Sequence, residues 1–276
     1  MNIKPLNTIH LFVSALVATI ALAFSACQSP KTEVPATGGF KTLEDLEGHS
    51  VAVIEGSTSD VLLSDTNNFS NITLLRLGTP TDLIAAVEQG QADCGITDTV
   101  VFLTLNMEEH GLATDFNLPG GFDVATAFRP TDEKLCNQFN DFLVQIKSDG
   151  TLEEIINRWG APCTDSVCVP DLEGLDKLKG HPLEVATLAD NPPFSFYREG
   201  LWTGMEVELM LRFSLYLQRP VHFSGYRFNE VIGVLQQHKA DMAAANLFIT
   251  PDRAKQVLFS HPYYLCKTCC FSRIKK

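Results

Sequence analysis

Short apolar runs alternate along the chain with longer stretches of helical period. Ser50-Val51-Ala52-Val53-Ile54 has the length and β-branched content of a buried strand. It stops at Gly56-Ser57-Thr58-Ser59, where the hydroxyl residues suit a helix N-cap. Residues 72–77 read as a second strand. Thr79-Pro80-Thr81-Asp82 then opens a helix with Leu83, Ile84 and Val87 on one face, and Gly90 ends it. Cys94-Gly95-Ile96-Thr97 and 124–128 are further strands. Two amphipathic helices follow, 132–147 with Leu135, Phe139, Phe142, Leu143 and Ile146 apolar, and 152–159. Residues 160–182 are crowded with Pro, Gly and Cys and read as a linker. The alternation then resumes, with strands at 183–188, 221–223, 242–245 and 265–274. Helices are expected at 206–217 and 228–237, and a short one begins with Pro251 at its first position. Strands joined by helices imply βαβ units and an α/β fold.

The first residues are a different kind of segment. Lys4 precedes an apolar run at 11–24, too short to span a bilayer core and followed by small residues. Phe24-Ser25-Ala26-Cys27 resembles a bacterial lipobox, with Phe in place of the usual Leu. This implies a signal peptide at 1–26, lipid on the Cys27 thiol and a polar tether at 27–40. The expected location is the cell envelope, facing the periplasm, with the membrane met through the lipid anchor.

Composition removes several classes. Hydrophobic residues at 45% and charged residues at 20% argue against a disordered chain. A formal charge of −12 with no basic-rich stretch argues against a nucleic-acid partner. Eight cysteines are too few for a disulfide-built scaffold, but enough for a few bridges in an oxidising compartment.

Residues 183–264 resemble the opening half of the bacterial extracellular solute-binding proteins of family 3, the polar amino-acid type that feeds ABC importers. The residues that carry the resemblance are Pro192-Pro193-Phe194-Ser195-Phe196, Gly204-Met205-Glu206-Val207-Glu208-Leu209, Lys239-Ala240-Asp241-Met242, Ile249-Thr250-Pro251-Asp252-Arg253 and Phe259-Ser260-His261-Pro262-Tyr263-Tyr264. Residues 43–160 resemble the closing half, through Asp45-Leu46-Glu47-Gly48, Gly56-Ser57-Thr58, Gly90-Gln91-Ala92-Asp93, Thr97-Asp98 and Arg158-Trp159-Gly160.

The order of these halves is inverted relative to the family. The resemblance therefore implies a two-lobed, periplasmic-binding-protein-like (type II) α/β fold in circularly permuted form. The rival reading is the rear of one module of a tandem array followed by the front of the next. Permutation is the more economical, because every part occurs once and chain termini in compact domains are often close. The expected division is lobe A at 41–125, lobe B at 126–160 and 183–264, a permutation linker at 161–182 and a hinge strand at 265–276.

The resemblance implies a binder rather than an enzyme, working as a monomer with a small amino-acid-like ligand and an ABC permease. A sensory lipoprotein and a dehydratase-like enzyme are the alternatives on the same fold. A closed cleft must pair each charge of its ligand as it excludes water. Arg253 matches the family's carboxylate-binding arginine, and its guanidinium can donate two parallel hydrogen bonds. Ser57 and Thr58 lie in a strand-to-helix turn expected to meet the same carboxylate from lobe A. Asp98 stands where the family places an acid for the ammonium, with a plain helix cap as the other reading. Phe194 and Phe196 are expected to line the side-chain pocket, and Asn246 to touch the ligand. Asp93 and Asp241 read as structural turn residues. Asn191 and the stretch Ala245-Asn246-Leu247-Phe248 depart from the family pattern, so the ligand class extends to other small carboxylates.

No cofactor is implied, and no nucleophile elbow, P-loop or dinucleotide fingerprint occurs. Cys163 and Cys168 are close enough for a local bridge, while Cys94 and Cys136 read as small core residues. On one continuous strand Cys266 and Cys270 would share a face. A zinc site on Cys266-x-x-Cys269 lacks a second ligand pair.

Overall fold

The computed structural model describes residues 39–160 and 169–274. The signal peptide, Cys27, nearly all of the tether, Cys163 and Cys168 lie outside the described residues.

The first half begins with β1 (Ser50–Ile54), α1 (Thr58–Leu63), β2 (Thr73–Leu77), α2 (Pro80–Glu88) and β3 (Cys94–Asp98). β1 pairs parallel with β2 on one side and β3 on the other, as two βαβ units require. α3 (Thr99–Thr104) and β4 (Leu112–Asn117) follow, then β5 (Phe122–Val124), β6 (Ala127–Phe128), α4 (Glu133–Ser148) and α5 (Thr151–Trp159). The second half runs β7 (Leu183–Thr187), a small antiparallel sheet of β8 (Asp190–Asn191), β9 (Ser195–Arg198) and β10 (Leu201–Thr203), and then α6 (Met205–Leu217). β11 (Val221–Gly225), α7 (Val231–Gln236), β12 (Met242–Ala243), α8 (Pro251–Ala254), β13 (Leu258–Phe259), β14 (Tyr264–Cys266) and β15 (Thr268–Arg273) complete it.

Two five-stranded sheets result, one per lobe, and they share a plan. Lobe A has the order β2-β1-β3-β15-β4 and lobe B the order β11-β7-β12-β6-β13. In each, a parallel trio is followed by an antiparallel strand donated from the other half of the chain. β15 enters lobe A from lobe B, and β6 enters lobe B from lobe A. The turn chemistry repeats as well. Asp93, just before β3, accepts from Ser50 N–H at 2.9 Å, and Asp241, just before β12, accepts from Glu184 N–H at 3.2 Å. Each aspartate thus ties the start of its strand to the start of the central strand beside it.

The C-terminal segment departs from the expected single strand at 265–274. It breaks at Lys267 into β14 and β15, because the chain leaves one sheet and enters another there. β14 pairs with β5 in a two-stranded ladder between the lobes, with Tyr264 opposite Val124 and Cys266 opposite Phe122. β15 runs inside lobe A, where Phe271 covers Gly95; a Cβ at that glycine would stand 2.6 Å from the ring. The break also separates the cysteines. Cys266 joins the lobe B core, Cys269 one face of the lobe A sheet and Cys270 the other. Cys266 and Cys270 therefore do not share a face, and Cys266 and Cys269 do not converge on a metal.

Within lobe B, α5 is fastened to α6 by a buried charge. The carboxylate of Glu208 on α6 accepts from Arg158 at 2.6 Å, Trp159 Nε1 at 2.8 Å and Arg212 Nε at 3.0 Å.

Candidate functional site: the cleft between the lobes

The cleft is built from the C-terminal ends of strands in both lobes, where βα loops leave backbone and side chains facing one another. Its cavity of about 160 Å³ is lined from lobe A by Ser57, Thr58 and Asp98, among others. Lobe B supplies Leu188, Asp190, Asn191, Phe228, Asn246, Phe248 and Arg253.

Arg253 reaches the cleft because Thr250 caps α8 and Pro251 fixes its first turn. Its guanidinium donates to the carbonyls of Phe248 and, across the cleft, Gly56, both at 3.1 Å. It also lies 5.0 Å over the ring of Phe228. Burial pulls its pKa down to about 10. Among the described residues it makes no ion pair, so a cation sits in the cleft wall with only neutral partners.

Asp98 ends β3 on the opposite wall. It stands at the cap position of α3 but makes no side-chain capping bond, so the helix-cap role is not what its carboxylate does. It accepts instead from Asn246 Nδ2 at 2.5 Å, a second hydrogen bond across the lobes. Burial raises its pKa to about 6, against the opposing pull of bonds from Asn246 and Cys266. A carboxylate must face a donor, which fixes the orientation of the Asn246 amide. The other end of that amide, Oδ1, is buried and meets no donor among the described residues.

Behind Asn246 stands Glu206, fully buried at the start of α6. Both of its oxygens lie 3.0 Å from Asn246 N–H, and the Tyr263 hydroxyl donates to one of them. Burial raises its pKa to about 7. Gly204 makes this placement possible. Its φ of +124° and missing side chain let α6 begin against the carbonyl of Phe194, where a Cβ would come to 2.3 Å.

The structure brings Arg253, Thr58, Asp98, Ser57 and Asn246 into one cavity wall. Ser57 spends its hydroxyl on the cap of α1, accepting from Asp60 N–H at 3.1 Å. Phe194 and Phe196 are not in the lining. Phe194 is fully buried in the lobe B core against Tyr264, and Phe196 packs on Trp159. The loop that carries them folds back as the β8–β10 sheet, so their rings point into the lobe. The apolar wall comes instead from Leu188, Phe228 and Phe248, the last stacked on Phe122 at 4.8 Å. Glu206 carries no sequence signal of its role beyond its place in Gly204-Met205-Glu206.

A family model for bacterial extracellular solute-binding proteins, family 3, matches residues 183–275. The match covers about a third of the chain. Among curated proteins, the chain is similar to ABC transporter arginine-binding protein 1 of Escherichia coli (strain K12), at 32% identity over 28% of this chain and 32% of that protein. The Amino-acid-binding protein AabA of Dichelobacter nodosus is 26% identical over 43% of this chain and 48% of that one. Among solved structures, an ancestral arginine-binding protein bound to arginine matches at 38% identity, a TM-score of 0.30 and coverage of 32% and 38% of the two chains. The chain spans between 31% and 48% of the length of the curated relatives it matches.

Proposed function

We propose that the protein is a lipid-anchored, periplasm-facing solute-binding protein. It captures a small amino-acid-like ligand between its lobes and delivers it to an ABC permease. One observation carries the reading: Arg253 and Asp98, half-buried and opposite in charge, face one small cavity, each held, among the described residues, only by neutral groups. A carbonyl and an amide are weaker partners than counter-ions. A zwitterion supplies both counter-ions at once. Its carboxylate takes the guanidinium fork in place of the Phe248 and Gly56 carbonyls, and its ammonium takes Asp98. Each exchange replaces a neutral contact by a charged one away from water, so the closed state is stabilised when the ligand is present. Thr58 stands on the carboxylate side as a further donor, and Phe228 and Phe248 face the ligand's side chain.

The circular permutation belongs to the same proposal. Two sheets of the same plan, each completed by a strand from the other half, support one module built from both halves, and the inverted order of its motifs makes it a permuted one. A comparison that follows both chains in order can track such a protein on one side of the join only, which accords with the partial coverage of its relatives.

A thermal-shift screen of the twenty L-amino acids tests the function. A ligand at 100 times its Kd adds about 2.7 kcal/mol, a rise of roughly 5–10 °C for a chain of this size. A shift from one class of amino acid is expected, without turnover of the bound compound. A sharp melt with no shift from any of them defeats the amino-acid reading, and turnover defeats the binder reading. For the anchor, labelled palmitate is expected on the wild-type chain and not on Cys27→Ser.

A further inference from the structure

Glu206 and Glu208 lie two residues apart on α6 and are both fully buried. Glu208 is saturated by two arginines and an indole, an arrangement that explains its burial. Glu206 meets no basic side chain among the described residues. Its donors are a tyrosine hydroxyl and one backbone N–H, and that N–H belongs to Asn246 in the cleft wall. Asn246 is itself unusual, with a φ of +50° in the left-handed region. Asparagine visits this region more readily than most residues, and two carboxylate oxygens on its N–H hold it there. The consequence is specific: Asn246 Nδ2 reaches Asp98 across the lobes, and Oδ1 is left buried with no donor among the described residues.

We propose that Glu206 is a positioning residue for ligand capture. It holds the Asn246 backbone so that the amide bridges to Asp98 and presents Oδ1 to the cationic end of the ligand. The ammonium then meets two acceptors, Asp98 and Asn246 Oδ1, rather than one. This rests on the solute-binding reading above and extends it from the groups that touch the ligand to the one that aims them.

Isothermal titration of the full protein with each of the twenty L-amino acids, on wild type and variants, tests it. Glu206→Met leaves Asn246 N–H without an acceptor and is expected to weaken binding by at least ~10-fold. Glu206→Gln is expected to stay within ~3-fold, because its Oε1 still accepts from Asn246 N–H while Nε2 donates to Tyr263. The Tyr263 hydroxyl can turn its proton to Thr126, with which it already interacts. In an Asn246→Ala background, Glu206→Met is expected to add less than ~2-fold, since coupled residues are not additive. A structural role would give equal losses in both backgrounds and no rescue by Gln, and that result overturns the proposal. Thermal melts establish folding. Should the Met variant not fold, Glu206→Asp serves: its shorter carboxylate draws back from Asn246 N–H, and wild-type affinity in that variant overturns the proposal. Wild-type protein that binds none of the amino acids overturns the amino-acid reading and this one together. Wild type that binds, with the Met or Asp variant unchanged, overturns this one alone.

Discussion

At the scale of single residues, the cleft is a set of charges waiting for partners, and each makes a distinct prediction. Removing Arg253 removes a guanidinium of the cavity lining that makes no ion pair among the described residues, together with its bond to Gly56 across the cleft. Arg253→Ala is expected to weaken binding by roughly 100-fold or more, and Arg253→Lys to recover part of it, since an ammonium cannot match the two-pronged geometry. Titration calorimetry on the ligand found by the screen decides this, and unchanged affinity in the alanine variant rules out the carboxylate role. The acids predict a pH dependence of opposite sign with and without ligand. Asp98 titrates at about 6 and Glu206 at about 7, both raised by burial above their unfolded values of 3.8 and 4.5. Between these limits the folded protein binds more protons than the unfolded one, so stability falls as pH rises. The ligand-free melting temperature is expected to drop by about 5–10 °C between pH 5 and pH 8. A cationic ligand prefers ionised Asp98, so affinity is expected to be flat above pH 7 and to fall about tenfold per unit well below pH 6. A ligand-free melting temperature that rises across this range would contradict the burial of both acids.

At the scale of elements, α5 and α6 show how the two halves are fastened. Glu208 is fully buried, while Arg158 and Arg212 reach it from positions that are 30% and 23% exposed. Glu208→Gln keeps an acceptor but leaves two arginines without their counter-ion, and about 2–3 kcal/mol of stability is expected to go. That corresponds to a melting temperature lower by roughly 5–10 °C, with ligand affinity unchanged because the clamp lies outside the cavity lining; calorimetry and titration together separate the two effects. The neighbouring helix α4 was legible in the sequence, since Phe139, Phe142, Leu143 and Ile146 fall at helical period and the same residues are buried. The strands of the hinge were less so. An apolar pattern states that a residue is buried, not in which lobe. Leu265, Cys266, Cys269, Cys270 and Phe271 therefore read as one strand although the chain changes sheets at Lys267. The same limit applies to Phe194 and Phe196, where a motif marked the right loop but not the direction of its rings. The charged site residues were legible for the opposite reason. Arg253 and Asp98 sit at fixed offsets from Thr250-Pro251 and from a buried strand, and local geometry aims them. Glu206 was not, because its effect passes through the backbone of a residue forty positions away.

At the scale of the whole molecule, the arrangement of the ends predicts what happens when the two halves of the chain are exchanged, which tests the proposed permutation. Phe40 and His49, from the beginning of the described chain, share one pocket with Ser272, Arg273 and Ile274 from its end. Ile274 N–H donates to the carbonyl of Gly111 just before β4, and β15 lies in the lobe A sheet with only β3 between it and β1. A chain reordered as residues 183–274 followed by 40–160, joined by a few flexible residues, keeps both sheets and every cross-lobe contact. Both exchanged strands also survive, because β6 and β15 each remain on the segment that donates them. The cost of closing a short loop between neighbouring ends is small, since closure entropy grows only with the logarithm of length. The reordered protein is expected to melt cooperatively within about 10 °C of the parent and to bind the same ligand within roughly threefold. Its alignment with family members should then run unbroken along the chain. Failure to fold, with the parent folding and binding, would mean that the present order is required for assembly, and that the two halves are better described as parts of different modules than as one module rearranged.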